Sequence, residues 1–448
     1  MSTVVETVEA IARGTLRTQT LIESAQCQAG RAADLNPIAH VDWEATLRVA
    51  RQLDAEAKAG RLRGPLHGIP VSVKDLFAVR GMPLHAGTRA PLPSLELDEA
   101  TLVSRLREAG ALVFAKTNMH EIALGATGEN RWTGDVKNPF DPARQSGGSS
   151  SGAAVAVATG IGLAAIGSDT GGSVRIPAAF CGVTGFKPSF SAIPLAGALH
   201  LSWTCDHAGP LARCVDDCAL LFEVMARRRV AHAAPARRPR LAVPAAWLAG
   251  RLQAPVRVAF DRLRAALARA GAGFAEVDAP AFTLAWRCYT PIVRAEAAWV
   301  HRAALAAGAP GFSDLVLPAL AAGRALAAAD YIDALKVRER ACAQLDALLA
   351  GADALVLPTT AVLPPLRGQD EVEVEGGRTT VREAVLGQTL PFSLCGLPTL
   401  SIPVGLVGGL PMGLQVVGRR DGDASLLALG RWIEAVVGVA SMPPAEQG

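Results

Sequence analysis

The sequence lacks any run of 18 strongly apolar residues, which excludes a membrane-spanning helix from the reading. Its first ten residues carry Glu6 and Glu9 and show no basic end followed by an apolar stretch, so no secretory signal is read and a cytoplasmic setting is expected. It has little net charge. Against 44 Lys and Arg stand 41 Asp and Glu, a formal +3 over 448 residues, which gives no electrostatic case for a nucleic-acid partner. The densest basic stretch, Arg227-Arg228-Arg229 and then Arg237-Arg238-Pro239-Arg240, lies in an Ala/Pro-rich connection and reads as a solvated linker. The eight cysteines include no Cys-x-x-Cys pair. Cys214 and Cys218 lie four apart with no companion His or Cys pair, so no zinc site is expected, and the thiols read as reduced and mostly buried. No fixed-period repeat is present.

What the chain does have is alanine and glycine, which point to closely packed helices and many backbone turns. Residues 1 to about 60 read as helical: Trp43, Leu47, Ala50, Leu53 and Ala57 recur at spacings of three and four after Asp42, a candidate cap. After the turn at 64–68, Ile69, Val71 and Val73 alternate with Ser72 and Lys74, as on a strand. A helix at 101–109 and a strand at 111–115 follow. Residues 241–243, 254–270 and 274–277 make another strand–helix–strand unit, 330–350 a helix, and 354–357, 400–404 and 414–417 strands. This alternation predicts an α/β fold in one large domain. Residues 125–190 differ, being crowded with Gly, Ser, Thr, Asn and Pro, which marks a functional segment.

Two clusters there carry the chemistry. One is Gln145-Ser146-Gly147-Gly148-Ser149-Ser150-Ser151-Gly152, ahead of a helix-forming Ala/Val stretch; the other is Gly167-Ser168-Asp169-Thr170-Gly171-Gly172-Ser173-Val174-Arg175-Ile176-Pro177. Glycines before a serine at a helix start leave backbone N–H groups aimed at one place, which suits a phosphate or an oxyanion. Gly148 to Gly152 matches G-x-S-x-G, but Asn138-Pro139-Phe140-Asp141-Pro142 upstream cannot supply the strand that elbow needs. Neither cluster has the Gly-Lys-Ser/Thr of a P-loop. His67, His85, His120 and His207 show no spacing that supports a Ser-His-Asp triad.

With these clusters, Gly64-Pro65-Leu66-His67-Gly68-Ile69-Pro70-Val71-Ser72-Val73-Lys74-Asp75, Lys116-Thr117-Asn118-Met119, Phe180 to Pro188, Asp206 to Pro210, Leu357 to Thr360 and Gly396 to Gln415, the chain resembles the amidase signature family over nearly its whole length. The family's two catalytic serines are 24 residues apart, as Ser149 and Ser173 are. The resemblance implies a central twisted mixed β-sheet covered on both faces by helices. Within it, about 60–220 would be a catalytic core, about 230–350 a more variable region contributing the substrate pocket, and about 351–448 a return to the core sheet. It implies Ser173 as nucleophile, Ser149 as bridging serine in a cis peptide, Lys74 as base, and no metal or other cofactor. Lys116 and Lys187 also lie in matched stretches, so residue type alone leaves the base open. The resemblance places the oxyanion hole on the N–H groups of Thr170, Gly171, Gly172 and Ser173, with Asp169 and Arg175 supporting the loop. Ser150 and Ser151 read as helix caps, Ser150 also as a member of the hydrogen-bond network.

For the pocket, Met119, Ala123, Leu124, Gly125, Ala126, Leu199, Leu201, Trp203 and Phe312 suggest an apolar cavity with no basic cluster. The expected substrate is a neutral, partly hydrophobic or aryl amide, cleaved through an acyl-enzyme, with side activity on esters. Carbamates or ureas, and the glutaminase subunit of a tRNA-dependent amidotransferase, are the alternatives. A monomer or homodimer is expected.

Overall fold

The computed structural model describes residues 2–230 and 238–438. Thirteen strands form among them: β1 (Ile38–Val41), β2 (Pro70–Lys74), β3 (Leu112–Thr117), β4 (Ala164–Asp169), β5 (Thr184–Lys187), β6 (His207–Ala212), β7 (Arg240–Val243), β8 (Gly273–Glu276), β9 (Ala354–Pro358), β10 (Glu371–Val374), β11 (Gly377–Thr380), β12 (Thr399–Val407) and β13 (Leu410–Val417). Eleven make one sheet in the order β1-β3-β2-β4-β6-β5-β12-β13-β9-β7-β8, and β10 pairs with β11 apart from it. The sheet is mixed. β3, β2 and β4 run parallel, as do β9, β7 and β8, and the centre from β4 through β13 to β9 is antiparallel.

Every residue of β2, β3, β4, β6, β9 and β13 is buried. Successive side chains of a strand point to opposite faces, so such strands must be covered on both. The core shows this directly: Ala164 and Ile166 of β4 join one apolar cluster while Ala165 between them joins another. The fold is a single large α/β domain with helices flanking the sheet, as the sequence predicts. No helix of the described residues is long and apolar enough to cross a membrane.

Local sequence explains the helix ends. The helix Trp43–Lys58 starts where the Asp42 carboxylate accepts the Ala45 N–H at 2.9 Å, and it buries Thr46, Ala50 and Leu53. The 254–269 helix joins parallel β7 and β8, as the strand–helix–strand reading requires. In the basic connection, Arg227 pairs with Glu108 at the surface, and Arg237 lies outside the described residues. The register of β2 on β4, Val73 against Ile166, brings Lys74 and the Ser168–Asp169 end of β4 out at the same edge. The carboxyl ends of parallel strands are where α/β folds place their sites.

Candidate active site

Lys74 closes β2 and has no solvent exposure. Its Nζ donates to Ser149 Oγ at 2.7 Å and to Ser168 Oγ at 2.8 Å. Burial pushes its pKa down to about 7, against the opposing pull of the Asp169 and Asp206 carboxylates. A lysine in that state is available as a base near neutral pH. Ser149 follows a cis Gly148–Ser149 peptide, and its carbonyl accepts the His120 N–H at 3.2 Å. Ser168 is a partner that the sequence motifs do not single out. Val73 pairs with Ile166, so strand alternation puts Ser168 on the Val73 face rather than the Lys74 face, and no sequence signal announces the contact.

Ser173 lines the cavity, and its hydroxyl has no hydrogen-bond partner among the described residues. The backbone joins the two serine loops: the Ser150 N–H donates to Ser173 O at 3.2 Å. Ser150 does not cap the helix Ser151–Ala158. Its Oγ bonds Ser168 O at 3.1 Å and accepts the Ser168 N–H at 3.2 Å, so the hydroxyl is spent on β4. The Ser151 hydroxyl is buried without a hydrogen-bond partner among the described residues.

The loop that carries Ser173 hangs on a wholly buried pair. Asp169 Oδ1 and Oδ2 accept from Arg175 Nη2 at 2.9 Å and Nε at 3.0 Å, and Arg175 also donates to Thr389 O, Gln415 Oε1 and Ser393 Oγ. Burial alone would raise the Asp169 carboxyl, but the charge and hydrogen bonds of Arg175 hold it well below the usual range. Such a buried pair is tolerable because its donors and acceptors are filled.

The pair also corrects one expectation. The Gly172 N–H donates to Asp169 Oδ1 at 2.8 Å, so it is turned away from any oxyanion. The N–H groups of Thr170, Gly171 and Ser173 have no partner among the described residues, and they remain as candidate donors. Glycine is needed at 171 and 172 for close approach: a Cβ would lie 2.2 Å from Tyr289 Oη at the first and 2.4 Å from Thr389 Oγ1 at the second, where φ is +137°. Thr389 Oγ1 donates to Gly171 O at 2.6 Å, and Thr170 Oγ1 to Asp206 Oδ1 at 2.6 Å, pinning the loop from both sides.

The other lysines are occupied elsewhere. Lys116 forms a buried ion pair with Asp75 at 2.8 Å, and Lys187 donates to Pro188 O at 2.9 Å. His120 lines the cavity, with its pKa pushed down to about 4 by burial and then by the Lys74 charge, so it is neutral at pH 7.

The family model for amidase matches residues 20–427. The chain belongs to the amidase family. A glutamyl-tRNA(Gln) amidotransferase subunit from Anaeromyxobacter dehalogenans is 35% identical to this amidase over 436 residues, 88% of each chain. A crystal structure of an amidase superposes with a TM-score of 0.95 at 50% identity, over 98% of this chain and 100% of that one. A structure described with a vestigial complex and the origins of an s-triazine catabolic enzyme gives a TM-score of 0.91 at 28% identity, with the same coverage.

Above Ser173 the amidase holds a cavity of about 580 Å³. Leu124, Gly125, Ala126 and Leu201 line it, together with Val293, Val385 and Leu386. Met119, Trp203 and Phe312 are not among its lining residues. Met119 is fully buried, Trp203 stands half-exposed against Trp299, and Phe312 packs edge-on against His301. The sequence shows no basic cluster in the wall. The fold assembles one from distant segments, Arg294 of the helix Ala281–Val300 and Arg382 of the helix Val381–Leu386.

Proposed function

We propose that this amidase hydrolyses the acyl–nitrogen bond of a small amide through an acyl-enzyme on Ser173. The observation that carries the reading is the 2.7 Å contact of the buried Lys74 Nζ with Ser149 Oγ, beside a cavity that opens on Ser173. Neutral Lys74 takes the Ser149 proton as Ser149 takes that of Ser173. Substrate binding turns the unbonded Ser173 hydroxyl towards Ser149, as catalytic contacts often tighten only in the complex. Ser173 Oγ then bonds to the carbonyl carbon, and the oxyanion faces the N–H groups of Thr170, Gly171 and Ser173. Collapse breaks the carbon–nitrogen bond, and the proton returns from Lys74 through Ser149 to the leaving nitrogen. Water repeats the cycle on the ester, releasing the acid.

The cavity favours an amide with a substantial acyl group, since a volume of about 580 Å³ lies within the range of drug-sized ligands and much of its wall is aliphatic. Carbamates present the same carbonyl to Ser173, and esters leave more easily. A second reading, the glutaminase subunit of an amidotransferase, is favoured by the 35% identity to the Anaeromyxobacter protein. That reading brings partner subunits with it. The purified chain should be assayed alone on glutamine, alkanamides, anilides and carbamates, with fluorophosphonate labelling read by mass spectrometry. We expect label on Ser173 and turnover of the larger amides. Turnover of glutamine alone, or only after partner subunits are added, would establish the second reading instead; label on another serine would sink both.

A further inference from the structure

The cavity is lined by two guanidinium groups that make no ion pair among the described residues. Arg294 makes no side-chain hydrogen bond or ion pair among the described residues, and Arg382 makes no ion pair among them. Arg382 is held in place all the same. Its Nη2 donates to Thr290 Oγ1 at 2.9 Å, and its guanidinium lies over Trp286, 5.1 Å from the ring centroid. A guanidinium has five N–H donors, so this anchoring leaves most of the fork open. Arg382 keeps solvent exposure, yet partial desolvation pushes its guanidinium down and the like charge of Arg294 adds to it, while Tyr289 and Glu383 favour its charge. Two positive groups close enough to oppose one another are the arrangement an anion would relieve. Glu129 and Asp370 also line the cavity, but neither carboxylate comes within ion-pair distance of either arginine. Glu129 accepts the Thr127 hydroxyl at 3.2 Å, and Asp370 is exposed on its loop.

The same helix ties this pair to the reaction centre. Tyr289 packs its hydroxyl against Gly171 of the nucleophile loop, and Thr290, Val293 and Arg294 follow on the face that lines the cavity. An acyl chain bound at Ser173 and running along this face would bring its far end to Arg294 and Arg382.

From this geometry we infer that the amide substrate carries a carboxylate at the end of its acyl chain, held by Arg294 and Arg382 while Ser173 attacks the amide at the other end. This deepens the proposed amide hydrolysis and rests on it, and it replaces the neutral substrate expected from the sequence. A bidentate guanidinium–carboxylate contact in a partly enclosed cavity supplies both affinity and orientation.

The test compares the monoamides of succinic, glutaric and adipic acid with butanamide, pentanamide and hexanamide, reading kcat/KM for ammonia release. At the best chain length the acid should be preferred by at least about tenfold, from the strength of charged hydrogen bonds. That ratio should fall about tenfold in Arg294→Gln and in Arg382→Gln, and should shrink with added salt. Binding of adipic monoamide against hexanamide to Ser173→Ala, by calorimetry, reads the same preference without turnover. Equal or better use of the alkanamides by the wild type, or a ratio that survives both arginine substitutions, overturns the inference. Failure of a fluorophosphonate to label Ser173 would overturn the hydrolytic reading separately, while the calorimetry would still decide the carboxylate.

Discussion

On the floor of the cavity Lys74, Asp169 and Arg175 are fully buried and each meets polar partners, whereas on its wall Arg294 and Arg382 stand open to the cavity and make no ion pair among the described residues. The floor comes from strand ends and glycine-rich loops whose backbones touch; the wall comes from two helices laid over them. The difference separates two tasks. A proton relay needs groups fixed to each other before substrate arrives, so its partners belong to the protein. A specificity wall keeps donors in reserve, and the partner is the ligand.

Substitutions that break the floor should therefore cost far more than those that alter the wall. Ser173→Ala should lower kcat/KM at least about a thousandfold on any amide the protein cleaves, because the nucleophile is removed outright. A loss below tenfold would mean another group attacks. Lys74→Ala should cost about a hundredfold to ten-thousandfold at pH 7, the usual range for a general base, with the circular dichroism spectrum retained. Asp169→Asn leaves Arg175 buried with a neutral partner, and denaturant unfolding should show a loss of about 3–5 kcal/mol. Unchanged stability there would mean that the pair does not hold the loop. Gly172→Ala sets a Cβ against Thr389 at positive φ and should cost about 1–3 kcal/mol together with activity. The smallest effect is expected for Thr389→Val, about 1 kcal/mol from one lost hydrogen bond to Gly171 O.

The same contrast explains what the sequence could reveal. Lys74, Ser149, Ser173, Asp169 and Arg175 sit in short contiguous stretches where residue type and backbone constraint coincide, so the motif exposes them. The direction of an N–H group is not written in residue type, and Gly172 therefore reads as an oxyanion donor although Asp169 holds it. Thr389, Ser393 and Gln415 reach Arg175 only through the fold. Arg294 and Arg382 belong to helices whose pattern looks like that of any helix half-buried on a sheet. Trp203 suits an aromatic pocket by type, yet it pairs with Trp299 at the surface. The mixed sheet follows from the alternation of strand and helix together with the family resemblance, but its order, with β12 and β13 set between β5 and β9, depends on pairings far apart in the chain.

The central claim is that a buried, neutral Lys74 activates Ser173 through Ser149. The most direct measurement is the pH dependence of Ser173 acylation, followed as the rate of fluorophosphonate labelling between pH 5 and pH 9. Only the unprotonated lysine accepts a proton, so the rate should rise with pH through a single limb near the lowered pKa of about 7 and level off above it. In Lys74→Ala that limb should disappear along with most of the rate. A flat profile in the wild type, or the same limb in the Lys74 variant, would contradict the account.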